Sequence, residues 1–333
     1  MNVPSLSFQP VQSRSVFSLD GYFVWCGTMV RDEKGTCHLF YSRWPIETTF
    51  NGWLTHSEVA HAVADDPLGP YRHVDVALPE RGPAFWDGHN THNPTVVRGG
   101  DKYYLYYTGD FGDRHITPHD LNWTHRNHQR IGVAVADSLD GPWTRSDRPL
   151  IDATPGFHDE LMCANPSVVQ RPQGDWLMIY KAVAKDRPLP FGGPVVHVVA
   201  TSPSPTGPFT KHAHPIFVKD GVQFPAEDPF VWHDGHQYLA IVKDMGGFFT
   251  GAGRSLALMQ SSDGFDWSPA DPVLVSTTQY PQADGTIRKL EALERPQLWF
   301  DNGRPAVLFC AASERLANDQ LRTWDVAIPL GVT

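Results

Sequence analysis

The chain has 333 residues and a formal charge of −10, with 27 Lys and Arg against 37 Asp and Glu and no basic run. That balance leaves no electrostatic footprint for a nucleic-acid partner. No apolar stretch reaches membrane-spanning length and Met1 to Ser18 lacks the apolar core of a signal, so a cytoplasmic protein with no membrane partner is expected.

Taken in chain order, five short steps lead into β-rich runs of similar shape: Cys26-Gly27-Thr28-Met29-Val30, His92-Asn93-Pro94-Thr95-Val96, Ala164-Asn165-Pro166-Ser167-Val168, Glu227-Asp228-Pro229-Phe230-Val231 and Glu294-Arg295-Pro296-Gln297-Leu298. Aligned on Gly27, Asn93, Asn165, Asp228 and Arg295, they lie 66, 72, 63 and 67 residues apart, and the first lacks the proline. Each is followed by a turn and an aromatic strand, as in Gly99-Gly100-Asp101-Lys102 before Tyr103 to Tyr107. A third strand shows in Ile131 to Ala136, Val195 to Ala200 and Leu256 to Met259. One supersecondary unit used five times, with almost no helical periodicity, predicts an all-β, five-bladed β-propeller. A single domain is expected, with blades at roughly 20–75, 85–147, 155–212, 222–270 and 287–330, because radial repeats grow without a second core. The 28 Gly and 29 Pro fall at turns rather than in a linker. Cys26, Cys37, Cys163 and Cys310 form no Cys-x-x-Cys pair, so free buried thiols are expected and structural zinc is not.

Three blade endings share a further motif: Asp65-Asp66-Pro67-Leu68-Gly69-Pro70-Tyr71, Asp137-Ser138-Leu139-Asp140-Gly141-Pro142-Trp143 and Ser202-Pro203-Ser204-Pro205-Thr206-Gly207-Pro208-Phe209. These resemble the blade-closing turn of five-bladed glycoside hydrolases of families 43 and 117 and their relatives, over roughly residues 20 to 325. The resemblance implies that carboxylates from several blades meet at the axis around a sugar, as base or nucleophile, acid, and a third group that orients the ring and tunes the acid.

The candidates for those roles are uneven. Asp228, an acid before a strand-starting proline, matches the resembled pattern for an axial carboxylate; its neighbour Glu227 would point to the other side of an extended strand and brace the loop. Phe85 to Pro94 packs Trp86, Asp87, His89, His92 and Asn93 together. Asp87 aligns with Asp159, so it either caps a loop common to two blades or acts at the site, and His92 either faces the pocket rim or bonds to backbone. Glu160, before apolar Leu161-Met162-Cys163-Ala164, is the first choice as proton donor, since an apolar setting raises a carboxyl pKa. Glu294 beside Arg295 suits accepting sugar hydroxyls, and Arg295 itself hints at an anionic group on the substrate. At the first step the resembled catalytic Asp is absent, leaving it missing, displaced to Asp20, or replaced by Asp87, which is preferred. Asn93 and Asn165 are axial polar residues without acid–base capacity. Trp25, Trp44, Trp53 and Trp86 are placed to line sugar subsites. The histidine-rich segment Asp113 to His128 matches no ligand spacing and reads as a rim loop.

The expected function is hydrolysis of a glycosidic bond in a short oligosaccharide or terminal sugar, with Asp87, Glu160 and Asp228 catalytic and no required cofactor. A calcium ion on the axis would suit Asn and Asp oxygens, though no residue set demands one. The alternatives are a glycoside phosphorylase, with Arg295 and histidines holding phosphate, and a non-catalytic carbohydrate-binding propeller.

Overall fold

The computed structural model describes residues 6–332. Its strands form four four-stranded antiparallel sheets and a fifth sheet of five strands, each sheet one blade, with a separate two-stranded hairpin at Gln279–Pro281 and Ile287–Lys289. The inner strands are Tyr22–Arg31, Asn90–Gly99, Met162–Gln170, Ala226–His233 and Ala292–Asp301. Each packs beside the next, and the fifth packs beside the first, so the ring closes.

The closure uses a piece of chain outside the repeat. In blade 5, strands Ala292–Asp301, Arg304–Arg315 and Leu321–Val332 are joined at the outer edge by Leu6–Phe8, with Leu6 opposite Val332, while Val16–Phe17 also pairs with the third strand. The fifth blade is thus completed from the N-terminal side of the first, which ties the two ends of the repeat together by backbone hydrogen bonds.

The apolar patterning follows from blade stacking. Second strands such as Trp176–Val183 are covered on both faces, so they read as near-continuous apolar runs rather than alternating ones. Five apolar clusters lie between successive blades: Phe40, Leu105 and Tyr107 join blades 1 and 2, for example, and Leu177, Ile179, Ala240 and Val242 join blades 3 and 4. In the blade-closing motif Gly69, Gly141 and Gly207 sit at φ of 80°, 80° and 81°, a region where any Cβ is strained. That requirement explains why the motif carries glycine in all three blades. The four cysteines are buried and unpaired. No helix among the described residues is long and apolar enough to cross a membrane.

Candidate active site

Each inner strand carries a β-bulge at the repeated step, between Trp25 and Thr28, His92 and Thr95, Ala164 and Ser167, Glu227 and Phe230, and Glu294 and Gln297. The first bulged residue adopts left-handed backbone angles every time: Cys26 at φ 63°, Asn93 at 52°, Asn165 at 55°, Asp228 at 56° and Arg295 at 57°. Five non-glycine residues in this region are held there by the sheets around them, a pattern that clusters at functional sites. The first blade is therefore in register through Cys26, not Gly27. The missing proline hid the one-residue offset. Gly27 instead allows a close approach: a Cβ there would lie 2.8 Å from Asp325 Oδ2.

The bulges turn these five side chains toward one another. The Cys26 thiol donates to Asn93 Oδ1 at 2.9 Å, the Asn93 amide donates to Asn165 Oδ1, Asn165 Nδ2 donates to Asp228 Oδ1 at 2.7 Å, and Arg295 Nη1 donates to the same oxygen at 3.2 Å. This chain of contacts closes the floor of a cavity of about 120 Å³. The volume admits on the order of ten water-sized groups, the scale of one sugar ring. Above the floor stand the residues one position earlier on four of the five strands, Trp25, His92, Glu227 and Glu294, together with Lys181 and an aromatic wall of Trp44, Phe50 and Trp53. Phe50 packs edge-on against Trp25, and Trp53 lies over the His92 ring at 5.2 Å.

The electrostatics of the pocket separate its carboxylates. Glu227 accepts from Lys181 Nζ at 2.9 Å and Lys243 Nζ at 3.3 Å, and these two ammonium groups overcome the cost of burial and hold its carboxyl far below the usual range. Asp228 is pushed up to about 6, first by burial and then by the neighbouring Glu227 charge, with Arg295 opposing. Glu294 pairs with Lys243, which its carboxylate neighbours keep protonated despite burial. Burial, reinforced by Arg295 and Lys181, pushes the His92 imidazole well down, so it is neutral near pH 7; its Nδ1 is 2.8 Å from Ser57 Oγ. Burial holds the Cys26 thiol protonated.

Of the residues singled out by sequence, the pocket brings together Trp25, His92, Asn93, Asn165, Glu227, Asp228, Glu294 and Arg295, with Trp44 and Trp53. Five others lie elsewhere. Asp87 is fully buried and held by Arg81 Nε at 2.7 Å, Tyr107 Oη at 2.6 Å and Arg145 Nη1 at 3.3 Å. Its equivalent Asp159 is held likewise by Tyr180, Lys211 and the Thr154 amide. Both are blade braces, which corrects the assignment of Asp87 as base. Glu160 is corrected as proton donor: its carboxylate accepts from the Gly156 amide at 3.1 Å and sits 3.6 Å from Lys185 in a partly exposed turn, because the apolar run after it enters the strand while Glu160 does not. Trp86 stacks on Tyr107 at 5.8 Å and donates to Ser146 O. His89 accepts from the Gly112 amide and lines a separate hollow with Glu80 and Arg114. Asp20 borders another hollow with Tyr22 and Thr323.

Sequence reasoning missed Lys181, Lys243, Phe50 and Cys26. Lys181 and Lys243 lie opposite Ala164 and Glu227 on the neighbouring second strands. Each is a lone cation interrupting an apolar strand, a signal present in Leu177 to Val183 and Leu239 to Asp244. The histidine loop also differs from a solvated rim: His125 is buried, on the short helix Trp123–Asn127, 2.6 Å from Asp110. A calcium ion does not fit the ring of five. Asp228 is its one carboxylate, one oxygen of that group already takes donors from Asn165 and Arg295, and the Arg295 guanidinium supplies the cationic charge there.

Neither known families nor curated proteins match the chain. Solved structures do. A family 117 glycoside hydrolase of the marine bacterium Zobellia galactanivorans is 15% identical, with a TM-score of 0.67 over 98% of this chain and 90% of that one. A thermostable family-43 glycoside hydrolase is 12% identical, with a TM-score of 0.62 over 98% and 92%. The native arabinanase of Bacillus subtilis is 13% identical, with a TM-score of 0.60 over 94% and 96%. At these identities the likeness is one of fold: the chain is a five-bladed β-propeller of the shape found in those hydrolases.

Proposed function

We propose that this chain is a glycosidase acting on the terminal sugar of a short oligosaccharide or glycoside bound in the axial pocket. One observation carries the reading: Glu227 and Asp228 line the same sugar-sized cavity with their proton affinities driven apart. A carboxylic acid that retains its proton near pH 6 beside a carboxylate fixed in its ionised form is the division of labour that glycosidic cleavage needs. Asp228 is assigned as proton donor to the departing oxygen. Glu227 is assigned as the ionised carboxylate that offsets the positive charge growing at the anomeric carbon as water attacks, and the proton that the added water sheds returns through solvent to the Asp228 carboxylate. Glu294 and Lys181 are assigned to sugar hydroxyls, and Trp25, Trp44 and Trp53 to the apolar C–H face of the ring. The closed floor favours a chain end over an internal stretch of polymer, and the similar folds of family 43 and 117 hydrolases add support of a weaker kind, since fold does not set function.

The test is release of sugar from a panel of aryl-glycosides and short oligosaccharides, with and without inorganic phosphate, for the wild type and for Asp228→Asn and Glu227→Gln. Phosphate-independent hydrolysis that falls by about 10²–10⁴ in each variant is expected. Hydrolysis at the wild-type rate in both variants would overturn the reading. Strict phosphate dependence would replace it with a phosphorylase, and binding without turnover would replace it with a carbohydrate-binding propeller.

A further inference from the structure

A second cluster of ionisable groups lies outside the pocket, where blade 1 meets the closing turn of blade 2. His38 on strand Cys37–Pro45 and His61 on strand Glu58–Ala64 are both buried, with parallel rings whose centroids are 5.0 Å apart. His38 Nδ1 and His61 Nε2 face each other at 2.9 Å. Asp140, from the turn that also presents Trp143 to Phe40, brings Oδ1 to 3.9 Å from His38 Nδ1. One ligand atom from each of His38, His61 and Asp140 lies within 4.8 Å of the other two.

The outer nitrogens face carboxylates as well. His38 Nε2 is 3.6 Å from Asp32 Oδ2, and His61 Nδ1 is 3.4 Å from Asp75 Oδ1. Asp32 is itself fixed, because its Oδ1 accepts from the amides of Lys34 at 2.9 Å and Thr36 at 2.7 Å. Counting protons along this row exposes a deficit. Two neutral imidazoles carry two N–H groups, which serve the His38–His61 contact and one of the two outer nitrogens, so the other outer nitrogen is left with a bare lone pair toward a carboxylate. Whichever tautomers are chosen, one nitrogen lone pair faces an oxygen or another lone pair, and His38 Nε2 is in fact without a hydrogen-bond partner. A cation between the inner nitrogens removes the deficit. Both outer nitrogens then carry their protons toward Asp32 and Asp75, the carboxylate–histidine–metal arrangement that orients imidazole ligands.

We propose that His38, His61 and Asp140 bind one divalent first-row transition ion, with zinc best matched to the two imidazoles and one carboxylate, and that the ion clamps blade 1 to blade 2. Three protein ligands leave a position open to water, and the mostly exposed Asp140 is the movable ligand that closes the site. Binding needs no net proton release from two neutral imidazoles: the proton between them gives way to the ion and is carried instead on an outer nitrogen, facing Asp32 or Asp75. The 23-residue separation of His38 and His61 matches no metal motif, which is why the sequence carries no sign of the site.

The test uses the full chain stripped with chelator, then titrated with zinc chloride and, separately, with cobalt chloride. One tightly bound equivalent is expected, with a cobalt absorption spectrum of a four- or five-coordinate site and a rise in melting temperature on adding zinc. His61→Ala should abolish that equivalent. Asp140→Ala, at an exposed position where folding is undisturbed, should weaken it by at least tenfold and remove the zinc-dependent rise. Uptake unchanged in both variants would place the metal elsewhere, in the loop bearing His115 and His119, and would overturn the proposal. Absence of uptake by the wild type would overturn it too, in favour of a third proton shared along the row. Loss of the zinc site would leave the glycosidase reading untouched, since none of its ligands lines the axial pocket.

Discussion

Glu227 and Asp228 are consecutive in the chain, yet both line one pocket. In an extended strand they would point to opposite faces. The left-handed angle of Asp228, φ 56°, breaks that alternation at the bulge and brings the second carboxylate round beside the first. The proximity has an electrostatic consequence: the permanent charge on Glu227 is the second-largest cause, after burial, of the raised proton affinity of Asp228.

The pH dependence of activity should report that coupling. With Asp228 as proton donor, kcat/KM is expected to fall as pH rises through about 6, the pKa at which the donor loses its proton. Neutralising Glu227 removes a charge that raises this pKa, so Glu227→Gln should move the alkaline limb to lower pH as well as lowering the maximum. The pH–rate profile of residual activity in the variant checks this. A limb that stays in place, or moves upward, would show that Asp228 is not the group being titrated.

Asp325 should govern a different pH dependence, that of stability. It is buried, accepts from the Gly27 amide at 3.0 Å through Oδ1, has no partner for Oδ2, and is pushed up to about 8, chiefly by burial. An unfolded aspartate has a pKa of about 3.9, so between that pH and about 8 the folded state holds the extra proton. Stability from this group is therefore full at low pH and declines as pH rises through that window. Asp325→Asn keeps an acceptor for Gly27 and cannot ionise. Thermal melts from pH 5 to 9 should show the variant gaining on the wild type as pH rises, by at least about 1 kcal/mol at pH 8. A constant difference across the range would remove Asp325 from the account.

The two braces should behave as structure and not as chemistry. Asp87→Ala leaves Arg81 and Arg145 without their common buried carboxylate, a loss that costs about 3–5 kcal/mol when one partner of a buried pair is removed. Chemical denaturation should show that loss, while turnover per folded molecule stays near wild type. A large fall in turnover with stability unchanged would return Asp87 to the active site.

The fold was legible because it is written five times: the proline steps, aromatic strands and Gly-Pro turns recur at one period, and repetition averages out local ambiguity. The closing strand Leu6–Phe8 was not legible, since it lies outside the repeat and its partner, Leu321–Val332, is more than 300 residues away. The axial residues were found wherever proline marked the step and were displaced by one where it was absent, at Cys26. Glu160 misled because chain neighbours are not spatial neighbours: Leu161 and Met162 pack into a buried apolar cluster where the strand begins, whereas Glu160 closes the turn before it. Asp87 misled because its partners, Tyr107 and Arg145, come from other strands of its blade and are invisible in its own segment. Lys181 and Lys243 required knowledge of register, because each meets Glu227 from a strand beside it.

Lys243 is where charge balance in the pocket can be tested most directly. It bridges Glu227 and Glu294, and its removal leaves Glu294 with no cation while Glu227 keeps Lys181. Lys243→Met is therefore expected to destabilise the chain by about 3–5 kcal/mol and to abolish turnover, because an uncompensated carboxylate stays in a largely buried site. The same argument predicts non-additivity. Glu294→Gln removes the charge that Lys243→Met strands, so the double variant should be more stable than the sum of the two single losses, with a coupling of about 0.5–3 kcal/mol. Denaturant melts of the four proteins complete the cycle. Additive losses would mean that Lys243 and Glu294 do not act as a pair in solution, and that the pocket is held neutral by other groups.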